Sequence, residues 1–162
     1  MHDPDTLLMK RRLFIQLLPM AIGLAQLSPA IAAAHKSPGI VELNVSSDGD
    51  FLAFAPDELT CRTGTNVRVI FHHTGERITQ QHNWVLLQPG SEEAFITASL
   101  KVGETNGWVP PGDKNLIAAT PLCGLGKSAM AEFTAPAPGD YPFVCSFAGH
   151  GEEMRGMLHV TA

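Results

Sequence analysis

The segment Tyr141-Pro142-Phe143-Val144-Cys145-Ser146-Phe147-Ala148-Gly149-His150-Gly151-Glu152-Glu153-Met154 changes character half-way along. Tyr141, Phe143 and Cys145 recur at the two-residue period of a strand, so they share one face. After Cys145 the alternation stops and a loop of small residues follows. That loop carries one imidazole, His150, and one thioether, Met154. A thiolate, an imidazole and a thioether are soft to borderline donors. With a second imidazole they make the two-His, one-Cys site with a weak axial Met that suits copper in electron transfer. A strand ending at Cys145 lets the loop curl His150 and Met154 around one point.

The second imidazole has to come from elsewhere, and His82-Asn83-Trp84-Val85-Leu86 supplies it at the start of a strand. His72 and His73 compete with His82. They stand at the end of the Val67-to-Phe71 strand, where a solvated pair is expected. Met157 competes with Met154, but it alternates onto the face of His159, opposite Leu158 and Val160, and should meet solvent. Cys145 and His150 would separately read as a buried small hydrophobe and a surface loop residue; their spacing makes them ligands.

Further strands read outward from this segment. Val41, Leu43 and Val45 alternate with polar residues, as do Val67, Val69 and Phe71, and Ala129, Ala131 and Phe133 share a face. Shorter runs are 51–55, closed by Pro56, then 59–62, 83–87 and 158–160. Many short strands with frequent turn signals predict an all-β, antiparallel sandwich or barrel. The exception is a short helical excursion between 91 and 103, with Ser91 as its cap, Glu92 and Glu93 at its positive end and Gly103 closing it. A Pro/Gly-rich loop, 107–113, follows. Trp84 reads as core, and the Glu92-Glu93 and Glu152-Glu153 pairs as solvated charges.

The chain has 162 residues, which suits one domain beyond any leader. It is 44% hydrophobic and 17% charged, which excludes wholesale disorder. A net charge of -5 removes nucleic acid from the partner classes. Three Cys cannot all pair with one another, so this is no disulfide scaffold. Residues 1–34 run from Lys10-Arg11-Arg12 through an apolar stretch to Ala30-Ile31-Ala32-Ala33-Ala34, the order of an export signal. Arg11-Arg12-Leu13-Phe14-Ile15 is similar to a twin-arginine signal. Cleavage leaves a single acidic domain, 35–162, in a periplasmic or other extracytoplasmic space; retention of the segment would tether it to the membrane.

The texts His82-Asn83-Trp84-Val85-Leu86, Pro136-Ala137-Pro138-Gly139-Asp140-Tyr141, Cys145 to His150 and Met154-Arg155-Gly156-Met157-Leu158 together resemble the cupredoxins, the azurins and especially the auracyanins among them. Phe51 to Pro56 and Val109-Pro110-Pro111 also look auracyanin-like. The resemblance covers most of 41–162. It implies an eight-stranded Greek-key β-sandwich and one type 1 copper ion on His82, Cys145, His150 and Met154. The carbonyl of Gln81 would be a distant fifth contact, and Asn83 a brace that hydrogen-bonds near the sulfur. Ala148 stands where the family commonly has Pro. His150 would be the electron port, surrounded by Phe147, Ala148 and Gly149. The resemblance places Cys61 and Cys123 at separate positions, as unpaired thiols.

These features imply a monomeric one-electron carrier, not an enzyme, cycling Cu(II)/Cu(I). Its partners would be redox proteins docking briefly, such as cytochromes, an oxidase, or a photosynthetic or respiratory complex. Three other readings compete. A copper store or chaperone would have a more open site, richer in Met and His. A copper enzyme would need a second centre with further clustered His. A metal-free structural domain would be betrayed by a missing ligand.

Overall fold

A computed structural model describes residues 39–77 and 79–162. The export-signal reading of 1–34 lies outside them. Among the described residues nine strands form two sheets, with one α-helix between the fifth and sixth strands. The strands are β1 (Val41–Ser47), β2 (Phe54–Ala55), β3 (Glu58–Arg62), β4 (Asn66–His72), β5 (Val85–Leu87), β6 (Leu116–Ala119), β7 (Ser128–Thr134), β8 (Gly139–Val144) and β9 (Arg155–Thr161). The helix α1 spans Glu92–Val102, followed by a single 3-10 turn at Glu104–Asn106. One sheet runs β2-β1-β4-β7, the other β3-β9-β8-β5-β6.

The alternating residues do what their period demands. In β4, Val67, Val69 and Phe71 are buried while Asn66, Arg68 and Ile70 are not. They meet Phe54, Trp84, Leu86, Phe143 and Leu158 in the core between the sheets. Edge-to-face pairs join Phe54 to Phe71 and to Phe143 at 5.9 and 5.2 Å. β5 is buried on both faces. Trp84 and Leu86 enter the main core, while Val85 and Leu87 join Phe95 of α1 and Val144 in a second cluster. The helix therefore covers the outer side of the β5–β8 pair.

Three expectations change. Among the described residues the strand count is nine rather than eight, because β6 follows the 107–113 loop, where no strand is expected. Leu116-Ile117-Ala118-Ala119 has no polar alternation, and only its pairing with β5 makes it a strand. The sheets are mixed rather than antiparallel: β1 with β4 and β3 with β9 are parallel. Alternation reports faces and is silent on direction. The Ser91 side chain does not cap α1; its Oγ donates to the Gln88 carbonyl at 2.6 Å. Glu92 and Glu93 do begin the helix, and Gly103 ends it.

Candidate metal centre

Cys145 follows the last residue of β8, and His82 lies just ahead of β5, the strand that pairs with β8. Two further links register them. The His82 backbone exchanges hydrogen bonds with Cys123, 3.1 Å one way and 2.7 Å the other. The side chain of Asn83 exchanges two more with Ser146, the neighbour of Cys145. The loop after Cys145 folds back on itself. His150 N–H donates to the Phe147 carbonyl and Met154 N–H to the His150 carbonyl, at 3.0 and 2.9 Å. Cys145 N–H then reaches the Met154 carbonyl at 3.0 Å.

The result is a converging donor set. His82 Nδ1 and His150 Nδ1 are 3.1 Å apart, and Cys145 Sγ lies 3.8 Å from the first and 3.6 Å from the second. All three residues are buried. Donors held at about 2.0–2.3 Å from a common metal ion stand roughly 3.3–3.7 Å from one another. The 3.1, 3.6 and 3.8 Å separations bracket that range, so small side-chain shifts would seat one metal ion in the triangle.

Burial sets the charge state. It pushes the Cys145 thiol from 9.0 up to about 11, with the Asn83 and Phe147 backbone amides pulling the other way. It draws His82 from 6.5 down to about 4, helped by His150 and His73. It lowers His150 too, opposed by Glu153. Near neutral pH the imidazoles therefore offer lone pairs, and the thiol stays protonated until a cation favours its thiolate.

Residues 41–161 match the model for copper binding proteins of the plastocyanin/azurin family. The chain belongs to that family. It is 36% identical to auracyanin-A of Chloroflexus aurantiacus over 125 residues, 76% of each chain. It is 35% identical to the azurin of Methylobacillus flagellatus over 142 residues, 82% of this chain and 91% of the azurin. The solved structure of auracyanin A, described as a blue copper protein of a green thermophilic photosynthetic bacterium, superposes with a TM-score of 0.71. At 36% identity it covers 76% of this chain and 100% of that one. The cupredoxin resemblance holds, and with it the sandwich and a copper site. His82, Cys145 and His150 are positioned to bind one ion.

Other expected site residues fall as follows. Met154 is fully buried in the cluster that holds Cys145, whereas Met157 is partly exposed. Asn83 is fully buried; its side chain exchanges hydrogen bonds with Ser146 and also donates to the Gly107 carbonyl at 3.4 Å. Gln81 is exposed. Phe147 and Ala148 are half-buried and Gly149 is exposed, with the Phe147 ring 4.7 Å from that of His150. Cys61 and Cys123 are buried free thiols.

His73 departs from expectation. It is buried, not solvated, with its ring 4.7 Å from His82. Its Nε2–H donates to the Gln80 carbonyl at 2.9 Å, and its Nδ1 accepts the Gly75 N–H at 3.3 Å. The Val67, Val69, Phe71 series carried one step further lands on His73, so the signal was there. His72, on the other face, bonds Ser128 and Asn44. Trp108 is a second neighbour that sequence reading missed. Its ring lies 5.7 Å from Phe147, and it holds φ 59° directly after Gly107. A bulky residue in that region is uncommon.

Proposed function

We propose that this protein is an extracytoplasmic one-electron carrier with a mononuclear type 1 copper site, held by His82, Cys145 and His150 and by Met154 as weak axial donor. The observation that carries this reading is the buried triangle of His82 Nδ1, Cys145 Sγ and His150 Nδ1. Bound copper would supply the Cu(II)/Cu(I) couple. The chain's part is to keep the donors still. His82 is anchored by the Cys123 backbone and by β5, and the other three donors sit on one ten-residue segment. Such fixing suits a centre that must change little between oxidation states.

The Gln81 carbonyl is a distant further contact in this reading. His150 is 3% exposed, so the neighbouring Phe147, Ala148 and Gly149 offer the contact surface for a redox protein of an extracytoplasmic electron-transfer chain. The docking is brief and of small area, between a monomer and a cytochrome, an oxidase, or a photosynthetic or respiratory complex. Residues 1–34 serve export. The remaining described histidines are engaged elsewhere: His72 by Asn44 and Ser128, His73 by Gln80, and His159 by Asp140 at 2.7 Å. This supports one centre rather than two.

The test is a copper titration of 35–162 followed by visible absorption and electron spin resonance. One equivalent should give an intense blue colour that mild reductant bleaches reversibly and Cys145→Ser abolishes. A colourless product, or colour surviving Cys145→Ser, would move the reading to metal handling or to a structural role.

A further inference from the structure

The helix α1 and the ligand loop meet along one stripe. Glu93 and Ile96 are three residues apart on α1, so they share a face, while Phe95 and Ser99 are the residues it buries. Opposite the stripe lies Gly151, next to His150. A Cβ on Gly151 would come within 2.7 Å of Ile96 Cδ1 and 3.1 Å of the Cys145 carbonyl. A Cβ there would push the Ile96 side chain aside and crowd the Cys145 carbonyl, so glycine lets helix and loop approach this closely.

Arg155 closes the contact. It directly follows Met154. Its Nε–H donates to the Gly151 carbonyl, and its Nη2 donates to Glu93 Oε1 at 2.8 Å. One planar guanidinium therefore spans the ligand turn and reaches the helix, a geometry that a lysine ammonium cannot reproduce. The two arms differ in weight. The Glu93 side chain is 78% exposed, so the ion pair alone contributes little. The bond to Gly151 is charge-assisted and sits on the loop itself. Inside the turn, the N–H groups of Glu153 and Met154 donate to the His150 carbonyl, at 3.1 and 2.9 Å. Arg155 thus grips a turn that already carries two ligand residues at its ends.

We propose that Arg155 is a positioning residue for the ligand loop: it clamps the turn 150–154 against α1, with Gly151 seated on Ile96, and so sets where His150 and Met154 stand relative to Cys145. The proposal rests on the ligand reading above. It gives the helical excursion a task, that of a brace for the metal loop.

The test compares Arg155→Gln, Arg155→Lys, Glu93→Gln and Gly151→Ala with the parent chain. Amide hydrogen exchange is read on the metal-free proteins and visible absorption on the copper-loaded ones. Losing a charge-assisted bond should open the turn on the order of tenfold more often. Arg155→Gln is expected to speed exchange at His150, Glu153 and Met154 by about that factor, leaving β1, β4 and β7 unchanged. Arg155→Lys should fall between it and the parent, and Glu93→Gln should move exchange less than about threefold. Gly151→Ala keeps the guanidinium and should accelerate the same amides. The absorption maximum should shift in Arg155→Gln and Gly151→Ala. Unchanged loop exchange, acceleration spread equally over every strand, or loop opening with an unaltered absorption band would each overturn the proposal. If the parent takes up copper without turning blue, the ligand reading fails, and the exchange comparison alone decides the clamp.

Discussion

Asn83 and Ser146 hold each other by two hydrogen bonds. Asn83 Nδ2 donates to Ser146 Oγ at 2.9 Å, and Ser146 N–H donates to Asn83 Oδ1 at 2.8 Å. Both residues are buried. One follows His82 and the other follows Cys145, so the pair fixes the spacing of two donors that are distant along the chain.

Asn83→Ala leaves the Ser146 amide and hydroxyl without these partners in a buried site. A loss of about 2–4 kcal/mol is expected for the metal-free protein, from two unmet groups at roughly 1–3 kcal/mol each with partial relaxation. Denaturant unfolding at pH 7 measures it. A change under about 0.5 kcal/mol would show that the pair does not hold the loop.

Met154 separates packing from ligation. Met154→Leu keeps volume in a fully buried position, so stability should fall by less than about 1.5 kcal/mol. Met154→Ala opens a cavity and should cost about 2–5 kcal/mol. Both should stay blue when loaded with copper. Both should show a higher reduction potential, because removing a weak donor disfavours the more charged state of the metal. Voltammetry reads the shift, and a potential equal to the parent's would remove Met154 from the ligand set.

The metal-free protein should be most stable between about pH 6.5 and 9. His82 binds its proton near pH 4 in the fold and at 6.5 when unfolded. Between those values the unfolded chain carries the extra proton, so stability falls as pH drops through this window. Cys145 is the converse case. The unfolded thiol ionises at 9.0 and the folded one at about 11, so stability also falls as pH rises across that range. Urea midpoints from pH 4 to 11 should trace a plateau with two descending limbs. His82→Asn should flatten the acid limb, and a midpoint independent of pH between 4 and 6.5 in the parent would refute this account.

All three thiols are free and buried. Alkylation without reductant should therefore add three groups to the unfolded metal-free chain and almost none to the folded one. Burial raises Cys61 and Cys123 as well as Cys145, which slows the native reaction further. Intact mass gives the count. One group instead of three after unfolding would mean a Cys61–Cys123 bridge.

Much of this molecule was legible along the chain. The alternation at 41–45, 67–71 and 129–133 told which residues turn inward, because a strand's side chains alternate whatever pairs with it. Cys145 and His150 lie on one short loop, so their spacing pointed directly to two of the three donors that converge in the fold. His82 needed only its Asn83-Trp84 context.

Other features depend on chain that returns from far away. β6 exists because β5 lends it hydrogen bonds, and the direction of pairing in β1–β4 and β3–β9 follows from crossovers between sheets. His73 is buried because Gln80 and Gly75 fold over it and Lys127 receives its backbone N–H. Periodicity names the face on which His73 lies but not what covers it. The contact of Arg155 and Gly151 with α1 is of the same kind: the arginine stands 62 positions along the chain from Glu93, a pairing that no local pattern encodes. Donor identity is a property of residue type and spacing, whereas burial, charge state and bracing come from packing between distant segments.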